Sequence, residues 1–215
     1  MTDFSARRIM MVDTQVRPSD VTKFPIIAAM LAVRREDYVP EAMREAAYMG
    51  GNLDLAQGRV MLEARTLAKM LESLDIQPAE RVLHLACGMG YGTAVIVELC
   101  AFVTGIEEDG VLASAAQAQL SARGTQRAEV RQGALSAAGK DVYDVILIEG
   151  GVEEVGTDLL AQLAEGGRIA AVFMQGALGT VKMGTKVNGR VSWRFAFNAS
   201  APVLPSFAAR RGFTL

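Results

Sequence analysis

Histidine and cysteine are nearly missing from this chain: 215 residues hold one histidine, His84, and two cysteines, Cys87 and Cys100. A single imidazole cannot build a metal centre, and two cysteines, one in an expected turn and one in an expected helix, form no disulfide framework. No metal is expected, and a reducing cytoplasm is the expected setting. An excess of one charge is missing as well, because 22 basic residues face 24 acidic ones for a formal net charge of -2. That balance creates no field to gather phosphate backbones or anionic lipid, so no nucleic-acid partner is expected. No apolar run reaches the length of a membrane span, and the opening Met1-Thr2-Asp3-Phe4, with Arg7 and Arg8 close behind, lacks a signal-peptide core. No membrane association is expected, and the oligomeric state stays open. What the chain does have is apolar side chains, 51% hydrophobic against 21% charged, which suits a globular protein with one sizeable core.

Residues up to about Leu74 read as helical, since Ile27, Met30 and Leu31, then Leu67, Met70, Leu71 and Leu74, recur at three- and four-residue spacing. Pro18, Pro25 and Pro40 punctuate these helices. Gly50-Gly51 opens a loop running to about Gly58, with Asn52, Asp54 and Gln57, expected to face a substrate. From Gln77-Pro78 onward, short β-branched or leucine-rich runs alternate with helical stretches, which predicts an α/β fold with a parallel Rossmann-like sheet. Strands are expected over 81–85, 102–106, 128–131, 143–148 and 168–173. Helices are expected over about 93–99, 111–122 and 158–163, the last closed by Gly166-Gly167. The tail over 182–215 reads as further strand, clearest over 191–197, where Trp193, Phe195 and Phe197 alternate like a strand core. Residues 1–76 are thus expected as a helical segment with a substrate-facing loop, and residues 77–215 as the core of the same structural domain.

The turn Ala86-Cys87-Gly88-Met89-Gly90-Tyr91-Gly92 follows the first core strand and opens a helix. Such a turn points free backbone N–H groups and a positive helix end at the carboxyl edge of the sheet, and its glycines let a ligand approach the backbone. Glu107, at the end of the next strand, is placed to take both hydroxyls of a ribose. Singly, the turn is a tight connection and Glu107 a solvated acid; together they read as a nucleoside site. A dinucleotide fingerprint counted from Gly88 requires glycine at 93, where Thr93 stands, so a nicotinamide enzyme is disfavoured and S-adenosylmethionine favoured. His84, beside the turn, either helps hold the cofactor or is a packed imidazole. Cys87 is either a thiol acidified near a helix N-terminus or a small turn residue. Glu149, expected just after the fourth strand, is either a polar group on the acceptor side or a solvated loop acid.

Several blocks carry a resemblance. Met11-Val12-Asp13-Thr14-Gln15-Val16-Arg17, Ala28-Ala29-Met30 and Val33-Arg34-Arg35-Glu36-Asp37-Tyr38-Val39-Pro40-Glu41 resemble the N-terminal signature of the protein-L-isoaspartate O-methyltransferase family. Tyr48 and the loop to Gly58, then 82–90, 103–107, Tyr143-Asp144-Val145-Ile146 and Gly166-Gly167-Arg168-Ile169, resemble its later landmarks. The resemblance implies a Rossmann-like S-adenosylmethionine-dependent methyltransferase sheet with N-terminal helices. It further implies methyl transfer to the carboxylate of an isomerised aspartyl residue in a peptide or protein. By the same resemblance the cofactor contacts fall on His84, Ala86, Cys87, Gly88, Gly90, Tyr91, Glu107, Gly133 and Ala134, with Asp54, Gln57, Glu63 and Glu149 as substrate-side candidates.

The departures cluster. The family's Thr-Ile-Ser-x-Pro falls on Val60-Met61-Leu62-Glu63-Ala64, so its hydroxyl position is Leu62 and no catalytic side chain is assigned. Its acid at the end of the first strand aligns with His84, its first turn glycine with Ala86, and its Gly-Asp-Gly with Gly133-Ala134-Leu135. Its Ala-Ala-Pro becomes Glu149-Gly150-Gly151-Val152. A second expectation follows: a relative that binds cofactor or partner without isoaspartyl transfer, or that uses another acceptor.

Overall fold

The computed structural model describes residues 3–56, 58–135, 139 and 141–209; of the expected site residues, Gln57 lies outside them. The chain opens with α1 (Phe4–Met11), whose N-terminus is capped by the Asp3 side chain accepting the Ala6 N–H at 3.0 Å. A π-helical stretch, Val12–Val16, and a 3-10 turn lead to α2 (Phe24–Ala32). The expected loop from Gly50 to Gly58 is instead largely a hairpin, β1 (Leu53–Ala56) and β2 (Arg59–Met61), with Gly58 at φ +67 beside its tip. Its strands are three and four residues long, too short for alternation to show in the sequence. Helix α3 (Ala64–Leu74) buries the expected Leu67, Met70, Leu71 and Leu74.

The core then runs β3 (Arg81–Leu85), α4 (Tyr91–Ile96), β4 (Phe102–Glu107), α5 (Gly110–Ala122), β5 (Ala128–Gln132), β6 (Tyr143–Val152), α6 (Thr157–Ala161), β7 (Leu163–Gln175), β8 (Leu178–Val187) and β9 (Arg190–Asn198). Seven strands lie in the order β5-β4-β3-β6-β7-β8-β9, the first five parallel and the last two antiparallel. Both faces are covered, so alternate residues enter two cores. Val82, Val145 and Leu147 pack with the N-terminal helices, α3 and α4; Leu83, Ile146 and Ile148 pack with α6 and the C-terminal segment. Strand order reverses at β3, with β4 on one side and β6 on the other, which puts the turn after β3 where such sheets bind ligands.

Several boundaries differ from expectation, each for a local reason. Helix α6 stops at Ala161, and the Lys186 ammonium donates to the carbonyls of Leu160 at 3.0 Å and Leu163 at 2.6 Å. Gly166-Gly167 does not close that helix but lies inside β7, in a bulge between the pairs Tyr143↔Leu163 and Val145↔Arg168. A Cβ at Gly167 would sit 2.9 Å from the Asp144 carbonyl oxygen, so the bulge needs glycine. Strand β6 runs on to Val152, which places Glu149 within the strand rather than after it. Among the described residues the tail is strand only to Asn198, and 210–215 lie outside them; Gly151 donates to Pro202 O and Leu204 donates back to Gly151 O, both at 2.9 Å, as the chain crosses the end of β6. Nor do the three aromatics share a face. A register shift between Val181 and Lys182 turns Phe197 toward the Lys69 ammonium at 5.2 Å, while Trp193 packs on Phe173 at 4.8 Å and Phe195 is exposed. Among the described residues no helix is long and apolar enough to cross a membrane.

Candidate functional site

Strand β3 ends against a backbone that turns sharply: Ala86 at φ +60, Gly88 at +55 and Gly90 at +92 all occupy the left-handed region. For Ala86 this conformation is strained, and it is held by the N–H groups of Ala86 and Cys87 donating to Ile106 O at 2.8 and 3.3 Å. The turn also lies close on its neighbours. A Cβ at Gly105 would meet Cys87 Sγ at 3.2 Å, and one at Gly90 would meet Ala116 Cβ at 3.0 Å. Gly105, inside β4, is a residue the sequence alone did not single out.

Two buried acids flank this turn. Glu107 ends β4 and is fully buried. Its Oε2 accepts the Gly88 N–H at 2.8 Å and a short charge-assisted bond from the Arg59 guanidinium; its Oε1 accepts the Asp109 N–H at 3.2 Å. Glu149, on β6, is 3% exposed, which removes the reading of a solvated loop acid. Its Oε2 lies 2.9 Å from His84 Nε2, a contact whose angles do not make a hydrogen bond. Its Oε1 accepts the Leu62 N–H over 3.4 Å. His84 is fully buried, and its Nδ1 meets Thr93 Oγ1 at 2.9 Å, so Thr93, which breaks the dinucleotide spacing, orients the imidazole.

One segment covers both acids. It runs from Arg59 in β2 to Leu62 and touches Glu107 at one end and Glu149 at the other. From β1, Leu55 Cδ1 lies 2.6 Å from where a Gly88 Cβ would be, directly over the bare turn. The far end is fixed by Arg35, a fully buried guanidinium that donates to Ala47 O at 2.7 Å and Leu62 O at 2.8 Å and stacks 4.6 Å from the Tyr91 ring centroid. Arg59 and Leu55 were not anticipated as site residues. The one signal in the sequence was a basic residue next to a loop glycine.

The other expected residues sort by position. His84, Ala86, Cys87, Gly88, Gly90 and Glu107 come together at the turn, and Gly133 joins them by donating its N–H to Glu107 O at 3.0 Å. Burial and the carboxylates of Glu107 and Glu149 push the Cys87 thiol well above its ordinary value, so it is a packed turn residue rather than an acidified one. Tyr91 points away from the turn into the helical layer, its ring 6.0 Å from that of Tyr38 and its hydroxyl pushed up by burial. Ala134 and Asp54 are exposed. Glu63 starts α3, with Oε1 accepting from Thr66 Oγ1 at 2.6 Å and from Arg65 Nε at 3.2 Å. Among the described residues no group of His, Cys, Asp and Glu is arranged to hold a metal ion.

A mixed sheet of this order, parallel over its first five strands, with a left-handed glycine turn after β3 and an acid ending the next strand, defines the Rossmann-like fold of the S-adenosylmethionine-dependent methyltransferases. Two solved structures share that fold: a protein-L-isoaspartate O-methyltransferase (TM-score 0.80, 17% identity, covering 96% of this chain and 67% of that one) and a Plasmodium falciparum beta-aspartate methyltransferase in complex with S-adenosyl-L-homocysteine (TM-score 0.79, 15% identity, 96% and 100%). In sequence, the Rhodopseudomonas palustris protein-L-isoaspartate O-methyltransferase 1 is 37% identical over 170 residues, covering 78% of this chain and 69% of its own. The Opitutus terrae protein-L-isoaspartate O-methyltransferase is 34% identical over 183 residues, 84% of this chain and 78% of its own. The chain matches the model of the protein-L-isoaspartate(D-aspartate) O-methyltransferase family over residues 9–194 and belongs to that family.

Proposed function

We propose that this chain is an S-adenosylmethionine-dependent O-methyltransferase acting on the carboxylate of isoaspartyl residues in peptides or proteins. The observation that carries the reading is Glu107 at the end of β4, folded against the Gly88 N–H of the left-handed turn, in a chain of this family. The donor set suits the cofactor: Gly88 and Gly90 leave the backbone bare, and Glu107 presents a carboxylate to ribose hydroxyls once Arg59 leaves it. The bound cofactor supplies a methyl group already activated on a sulfonium. A carboxylate acceptor is already a nucleophile, so the chain's task is to align the two and exclude water. Residues 1–76 are the acceptor-facing part and residues 77–215 the cofactor-binding core, within a cytoplasmic protein.

A second reading rests on Leu62. The position where the family carries a hydroxyl is fully buried, its N–H donating to Glu149 and its carbonyl accepting from Arg35. That arrangement favours a relative that uses another acceptor or binds without turnover. Titration calorimetry with S-adenosylhomocysteine, followed by radiolabelled methyl transfer to an isoaspartyl peptide and its aspartyl twin, separates the two. Binding with transfer only to the isoaspartyl peptide supports the first reading, and binding without transfer supports the second. No binding at concentrations approaching about a millimolar, weaker than about 4 kcal/mol, overturns the enzyme reading and leaves a fold kept for binding a partner.

A further inference from the structure

Of the roughly four acceptor sites of the Glu107 carboxylate, Gly88 N–H and the Arg59 guanidinium fill those on Oε2 and Asp109 N–H takes one on Oε1, so too little capacity remains for both hydroxyls of a ribose while Arg59 stays. Two of these donors are backbone groups, one in the glycine turn and one at the start of α5, and cannot leave without unmaking those connections of the main sheet. The third belongs to a separate two-stranded hairpin. We propose that Arg59 competes with the cofactor's ribose for the Glu107 carboxylate, so that hairpin β1–β2 is a built-in occupant of the site and release of Arg59 sets the affinity for cofactor. The inference rests on the S-adenosylmethionine reading above and deepens it.

Three features support it. The pair is buried, with the Glu107 side chain at 0% and the Arg59 side chain at 11% exposure, so Glu107 is left costly and bare unless the incoming ligand replaces the guanidinium. The exchange is therefore one donor set for another. Leu55, on the same hairpin, covers Gly88, so a single displacement clears the acid and the turn together. The hairpin also has natural pivots: Asn52, just before it, donates to Ser200 O and accepts the Glu63 N–H, both at 3.0 Å, while Gly58 sits at φ +67 beside the tip. Its hold on the second acid is the long 3.4 Å bond from Leu62. The affinity measured for cofactor is then its intrinsic affinity reduced by the fraction of molecules with the hairpin open.

The test compares wild type, Arg59→Gln, Arg59→Lys and Leu55→Ala as full-length proteins, by calorimetric titration with S-adenosylhomocysteine and by amide hydrogen exchange across residues 53–61. Arg59→Gln is expected to bind about tenfold tighter or better, about 1.4 kcal/mol, with faster exchange in the hairpin before ligand is added. Arg59→Lys keeps the charge and stays close to wild type. Leu55→Ala tightens binding by a smaller factor with the ion pair intact, and it carries the test alone if Arg59→Gln does not fold. A residue that merely braced the site would weaken binding on removal, so equal or weaker binding by folded Arg59→Gln, or by Leu55→Ala in its place, overturns the proposal and leaves cofactor binding standing. No binding by wild type or any variant overturns the cofactor reading and the proposal with it.

Discussion

Glu107 and Glu149 are the same residue type, buried to the same degree on the two strands flanking β3, yet their surroundings differ. Glu107 is met by a guanidinium and two backbone N–H groups, all within 3.2 Å. Glu149 has an imidazole off the hydrogen-bond line and one N–H at 3.4 Å. Burial alone therefore does not define what a carboxylate does at a sheet edge; the fixed donors aimed at it do. The first acid is locked into the scaffold and the second only leans on it.

The largest way to break this contrast is Glu107→Ala. It strands Arg59 and frees the donors of the turn, and urea unfolding is expected to show a loss of about 3–5 kcal/mol. Pairing it with Arg59→Leu is expected to recover part of that loss, which a double-mutant cycle reads as coupling. Glu149→Gln keeps the shape and exchanges only one loosely held oxygen for an amide, so about 1–3 kcal/mol is expected in the same assay. An effect as large as that of Glu107→Ala would erase the distinction between the two acids. Next comes Gly88→Ala, which forces a side chain into φ +55 and against Leu55. A cost of about 1–2 kcal/mol is expected, with faster amide exchange in the hairpin as Leu55 is displaced.

The smallest effect sharpens the comparison from outside the site. Burial acts to raise Glu36, but bonds from Tyr48 and its own backbone and the charge of Arg8 outweigh it and hold the carboxyl below its ordinary 4.5. Burial likewise acts on Glu80, where Arg168 outweighs it. Both folded values lie below the unfolded ones, so their stabilisation is complete above about pH 4.5 and is lost as pH falls through the depressed values. Unfolding free energy measured against pH is expected to drop below that point, and Glu80→Gln to flatten the drop.

Much of the scaffold was legible because it is written in local patterns. Runs such as Val145-Ile146-Leu147-Ile148 are apolar on both faces, and a glycine turn set between a strand and a helix admits few arrangements. Glu107 was legible for the same reason, since it ends a run next to that turn. The hairpin was not, because its strands are too short for period two to emerge and its partners, Gly88 and Glu107, lie 33 and 48 residues away in sequence from Leu55 and Arg59 respectively. Gly166-Gly167 misled because paired glycines suit a helix end and a strand bulge equally well, and the close approach of the Ala164 and Asp144 carbonyls to Gly167 distinguishes them. Tyr91 misled in another way: its backbone belongs to the turn, but its ring belongs to Arg35 and Tyr38.

Gly92 carries a consequence for how this molecule can change. Its backbone is ordinary helix, yet a methyl group there would run into Glu149 Oε2 and His84 Cε1. Its emptiness is thus owed to two side chains on β3 and β6 rather than to any twist of its own chain. Replacements at the three positions are bound to a sequence of steps: while either the imidazole or the carboxylate holds its place residue 92 meets it, and the position opens to alanine only after both have moved or gone.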